Sequence, residues 1–141
     1  MGKINFGRVI LGGIVAGIVA DLLGFLVDGL WLGQRWSEGM EALNHPEFSS
    51  SMWIGFDILG IVSGIVAIWI YAAIRPRLGA GLKTAIYAGL VVWILGTLLP
   101  NASFMYVGGL FSKHLTLFTT LGGLVEVVAG TIAGAWLYRE A

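Results

Sequence analysis

Four apolar runs, approximately 5–32, 52–74, 82–107 and 115–138, take up most of the 141 residues. A hydrocarbon core about 30 Å thick needs about 20 helical residues at 1.5 Å rise, and every run meets that length. The predicted fold class is therefore all-α: an integral membrane four-helix bundle with up-down-up-down topology, forming a single transmembrane domain over 1–141. Composition agrees, since 57% of the side chains are hydrophobic and 11% charged, against about 25% charged in soluble domains. The first run is too long and too acidic for the h-region of a cleaved signal, so it is expected to stay as an anchor. Pro46 with Ser49, Ser50 and Ser51, then Arg75-Pro76, then Gly79-Ala80-Gly81 supply the breaks between runs.

Basic residues give an orientation. Lys3, Arg8, Arg75, Arg77, Lys83 and Arg139 fall on one side of the predicted bundle, against Arg35 and Lys113 on the other, and cytoplasmic loops are the ones enriched in Lys and Arg. Both termini are thus expected in the cytoplasm. Aromatic residues mark two interfaces, Trp31, Trp36, Trp53 and Tyr106 outside and Trp69, Tyr71, Trp136 and Tyr138 inside, and read as anchoring belts. In the outer segment 33–51, which also holds Glu47, Trp36, Met40 and Leu43 recur on one helical face while Glu38, Glu41 and His45 share another. That pattern predicts a short interfacial helix over approximately 34–45.

Several chemistries find no support. The chain has no cysteine and a net charge of zero without a basic cluster, so thiol chemistry is excluded and nucleic acid is not an expected partner. Glu41, His45 and His114 are weak metal candidates only, because the two histidines sit in separate loops and a solvated polar face accounts for the same residues. Neither histidine lies deep in a span, so no haem or other cofactor is expected. No nucleophile and base constellation, phosphate loop or metal motif points to an enzyme.

What does stand out is a set of acids inside the apolar runs. Counted at helical rise from the outer ends of the spans, Asp21 and Glu126 lie about 15 Å deep and Asp28, Asp57 and Asn101 about 5–8 Å deep. Gly13, Gly17 and Asp21 are spaced by four, as are Gly122, Glu126, Gly130 and Gly134, and Asp57 shares a face with Gly60 and Gly64. Small residues at that interval let membrane helices approach closely, so the acids are expected to point at neighbouring helices. With no Lys or Arg at their depth, Asp21 and Glu126 are expected to be neutral and hydrogen-bonded.

Two functions fit this pattern. In the first, a structural or accessory membrane component, protonated carboxyls are hydrogen-bonding glue that fixes the helix packing. In the second, a proton- or cation-conducting channel or transporter subunit, the shallow layer is the mouth of a hydrated path and Asp21 and Glu126 form the relay. Pro100 cannot donate to the Gly96 carbonyl, which predicts a kink at Gly96-Thr97, with Thr97 and Asn101 available to the freed groups. The 22 glycines supply more small stripes than one bundle interior requires, so a homo-oligomer or another membrane protein is expected as partner beside the lipid bilayer.

The stretches WIYAAIRPRLGAGLKTA, 69–85, and LVEVVAGTIAGAWLYRE, 124–140, carry a resemblance. The chain is similar over most of its length to a group of small bacterial four-span membrane proteins of unknown function. Tyr71 to Arg77 and Leu124-Val125-Glu126 are its most specific parts. The resemblance implies a bacterial cytoplasmic (inner) membrane and carries over no catalytic or binding residue.

Overall fold

The computed structural model describes residues 2–45 and 48–141. Pro46 and Glu47, invoked above for the outer segment, lie outside the described residues. All regular structure among those residues is helical. Helix α1 (Phe6–Gly24) continues through a π-helical stretch, Phe25–Trp31; α2 is Gly33–Ala42 and α3 is Ser50–Leu78. Helix α4 (Leu82–Trp93) continues through π-helical Ile94–Leu98 and Asn101–Val107, and α5 is Lys113–Leu137. Four of these rods, Phe6–Trp31, Ser50–Leu78, Leu82–Val107 and Lys113–Leu137, are long and apolar enough to cross a membrane.

Helix starts follow local chemistry. The side chains of Asn5, Ser49 and Ser112 accept from the backbone N–H of Arg8, Met52 and Leu115, covering donors that an N-terminus leaves bare. Pro76 does not end the second span, as its sequence position implied, because α3 runs on to Leu78 with Pro76 inside it. The stop comes at Gly79, whose φ of 84° and ψ of 165° suit glycine almost alone. The short helix is Gly33–Ala42, since Leu43 and Asn44 already form a turn.

The helices meet through small residues. A methyl added to Gly12 would come within 2.6 Å of the Gly134 carbonyl oxygen, one at Gly17 would meet the backbone of Ile61, and one at Gly130 the Ala16 carbonyl. Along both seams the sequence numbers rise on α1 while they fall on its partner. Helix α1 packs on α3 and α5, and α4 packs mainly on α5. An apolar core of Val9, Ala16, Ile68, Ala85, Ala88 and their neighbours fills the end that carries the chain termini. A second, smaller core of Leu32, Met105 and Leu115 lies at the α2 end. Large apolar side chains such as Phe6, Leu22, Leu59, Leu95, Phe104 and Val125 are exposed along the flanks of the long helices, far more than the surface of a soluble protein of this size carries.

Two tyrosines expected in an interfacial belt belong to the core instead. Tyr71 and Tyr138 are buried and cross edge to face at 5.9 Å. Their hydroxyls accept from the backbone N–H of Gly81 and Asn5. Burial is tolerable because each polar tip has a partner. Trp31, Trp69, Tyr106 and Trp136 are exposed, as anchors would be.

Candidate functional site

Between the two cores lies a cavity of about 960 Å³. Helix α1 contributes Ala16, Ala20, Asp21 and Gly24 to its wall, and the π-helical stretch beyond adds Phe25 and Asp28. Helix α3 contributes Met52 to Ala67 along one face, including Asp57, Gly60 and Gly64, while α5 supplies Glu126, Val127 and Thr131. Trp36 and Met40 of α2, with His45, Phe48 and Phe111, line the end nearest α2. The cavity stops at Ala16, Ala67 and Thr131, where the core at the terminal end begins.

Four acids from three different helices therefore share one space, and each arrives for a local reason. Asp21 lies against Gly60, where any side chain would collide with its Oδ1. Glu126 lies beside Gly24, whose missing Cβ would stand 3.5 Å from Glu126 Oε2. Asp21 and Asp57 are close enough to interact electrostatically, as are Glu126 with both Asp28 and Asp21. Asp57 is on the exposed side of the wall.

Their hydrogen bonding differs sharply. Asp28 Oδ1 accepts from Trp36 Nε1 at 3.0 Å and from Thr119 Oγ1 at 2.7 Å, tying α1, α2 and α5 together. Glu126 Oε1, by contrast, is buried with no hydrogen-bond partner among the described residues. The expectation of a hydrogen-bonded midplane acid thus fails for that oxygen, beside which Gly122 and Gly24 supply no side chain to donate. The π-helical turn at Phe25–Trp31 carries Asp28, and such wider turns recur at functional sites.

The remaining candidates separate from the acids. Asn101 Nδ2 donates to Thr120 Oγ1 at 2.9 Å, so its amide bridges α5 and does not join the cavity wall. Pro100 is accommodated by π-helical turns on both sides: the Leu99 N–H reaches back to the Ile94 carbonyl, while Thr97 packs its methyl toward Gly123. Gly96 faces open space. The His114 ring lies tilted against Phe118 with centroids 4.4 Å apart, Glu41 is exposed, and only His45 of the metal candidates reaches the cavity. No three acidic or histidine side chains among the described residues converge as a metal site would.

Sequence reasoning missed the aromatic part of the wall. Trp36 packs on Phe111 at 5.1 Å, Phe48 on Trp53 at 5.6 Å and on Phe56 at 5.8 Å. Trp36 and Trp53, expected in the outer interfacial belt, turn their rings to this cluster. The spacing of Phe48, Trp53 and Phe56 around the start of α3 was the available signal. A smaller recess of about 210 Å³, lined by Asp28, Gly29, Gly33, Trp36, Ser37, Phe48 and Trp53, shares this wall.

Fold and site together define an all-helical protein with four helices able to cross a membrane and an acid-lined cavity in the half nearest α2. Compared with protein-family models, with curated proteins and with solved structures, the chain finds no significant match.

Proposed function

We propose that this chain is a multi-pass protein of a bacterial cytoplasmic membrane whose cavity binds and passes on protons or small cations. Both termini lie in the cytoplasm, the four spans run up-down-up-down, and α2 rests on the outer interface over the cavity mouth. The observation that carries the reading is the convergence of Asp21, Asp28, Asp57 and Glu126 on one cavity, with a Glu126 oxygen buried and unpartnered among the described residues. Carboxylates inside a membrane are costly to keep and are the usual stations of proton and cation pathways.

The packed core below Ala16 and Ala67 favours a carrier that binds, rearranges and releases over an open pore. The structural reading is favoured at one residue, Asp28, whose two hydrogen bonds make it a clasp between helices. The chain acts as a homo-oligomer or with another membrane protein, for which the exposed apolar flanks leave room. Purified protein in liposomes tests the main reading. Wild type should dissipate an imposed proton or sodium gradient, and Asp21→Asn and Glu126→Gln, near-isosteric and still able to hydrogen-bond, should fold normally and lose the flux. Flux unchanged in both amide variants would sink it.

A further inference from the structure

The wall of the cavity is more specific than its charge. A bare inorganic cation of the calcium or magnesium class needs six or more oxygen ligands around one point, whereas this space is about 960 Å³ and walled mainly by carbon. It has the size and apolar character of a pocket for an organic molecule. Among the described residues its ionisable side chains are four acids and His45, with neither Lys nor Arg. Asp28 is committed to Trp36 and Thr119, which leaves Asp21, Asp57 and Glu126 for an occupant.

Around the same space stand Phe25, Trp36, Phe48, Trp53, Phe56 and Phe111. Five of these form a continuous set of rings with centroids 5.1–6.2 Å apart. Aromatic faces attract cations, most of all poorly hydrated ones with an apolar body, and such a body gains further by leaving water for an apolar wall. A neutral apolar molecule would leave the buried Glu126 oxygen without compensation, and an anion would meet three acids. We propose that the cavity is a binding site for a lipophilic organic monocation, an amine or quaternary onium, with its charge near Asp21 and Glu126 and its apolar body against the aromatic wall. This rests on the reading above that the acids bind a cation, and takes the occupant to be an organic cation in place of a small inorganic one.

Tetraphenylphosphonium is a suitable probe, with triphenylphosphine oxide as its neutral aromatic counterpart, titrated into the purified full-length protein in detergent and followed by equilibrium dialysis and by quenching of tryptophan fluorescence. The cation should bind saturably and at least about tenfold more tightly than the neutral compound, a margin within reach of one desolvated cation–π and charge contact. The Asp21→Asn/Glu126→Gln double variant, eluting like wild type on gel filtration, should lose about tenfold or more in affinity for the cation and little for the neutral compound. Equal binding of the two compounds to wild type, a comparison that needs no variant, would overturn the inference. So would undiminished cation binding by a folded double variant. Should tetraphenylphosphonium fail while the liposomes still show flux dependent on Asp21 and Glu126, the organic-cation inference falls and the proton or small-cation reading stands.

Discussion

At the scale of single residues, glycines facing each other across one seam have unequal sensitivities. A methyl at Gly17 would meet the Ile61 backbone and the Gly60 carbonyl, neither of which can turn aside, whereas a methyl at Gly60 would meet the carboxylate of Asp21, the movable end of a side chain. Gly17→Ala should therefore destabilise the bundle by about 1–3 kcal/mol, as overpacking does, and Gly60→Ala by less. Thermal unfolding in detergent reads both. Asp28 allows a second comparison. Asp28→Asn retains an Oδ1 acceptor for Trp36 and Thr119 and should cost about 1 kcal/mol or less, while Asp28→Leu strands both donors at about 1–3 kcal/mol each. A red shift in tryptophan emission should accompany only the leucine variant. The positions of Asp21, Asp28, Asp57 and Glu126 in apolar runs, and the small stripes that carry three of them, were legible in the sequence. Their partners were not: Asp28 meets Thr119 across 91 positions of chain, and no periodicity within one helix encodes a contact between two.

At the scale of the element, what the sequence encodes best is length and polarity, and what it encodes least is how a helix absorbs a local misfit. The four long rods were predicted because bilayer thickness fixes their length, and they begin and end within four residues of the expected bounds. The end of α3 was misplaced. Pro76 removes one donor in the last turn without stopping the helix, and the stop is the conformation of Gly79. The π-helical turns around Pro100 and at Phe25–Trp31 were not foreseen, because an extra residue per turn is selected by contacts with neighbours. Backbone conformation alone should separate two glycines that both have nothing within 4 Å, Gly55 inside α3 and Gly79 at its end. Gly55→Ala should raise stability by about 0.5–1 kcal/mol through helix propensity. Gly79→Ala, held at φ 84°, should lower it by about 1–3 kcal/mol. Unfolding titrations of both variants in one detergent give the two signs directly.

At the scale of the whole molecule, the cavity makes orientation a functional matter. It lies in the half of the bundle nearest α2 and is stopped by the core at the terminal end, so under the proposed function the side on which α2 sits is the side that an occupant enters from. The basic residues divide with the ends of the rods: Lys3, Arg8, Arg75, Arg77, Lys83 and Arg139 at the end that carries the termini, Arg35 and Lys113 at the α2 end. Part of that set is also structural, since Arg75 pairs with Glu140 at 3.5 Å and stands 5.5 Å over the Tyr138 ring. Even without Arg75 the imbalance keeps its sign, and short loops follow it. A periplasm-active reporter fused after Asn44 should therefore give signal, and the same reporter after Leu78 should be silent. The reverse pattern would turn the cavity mouth toward the cytoplasm.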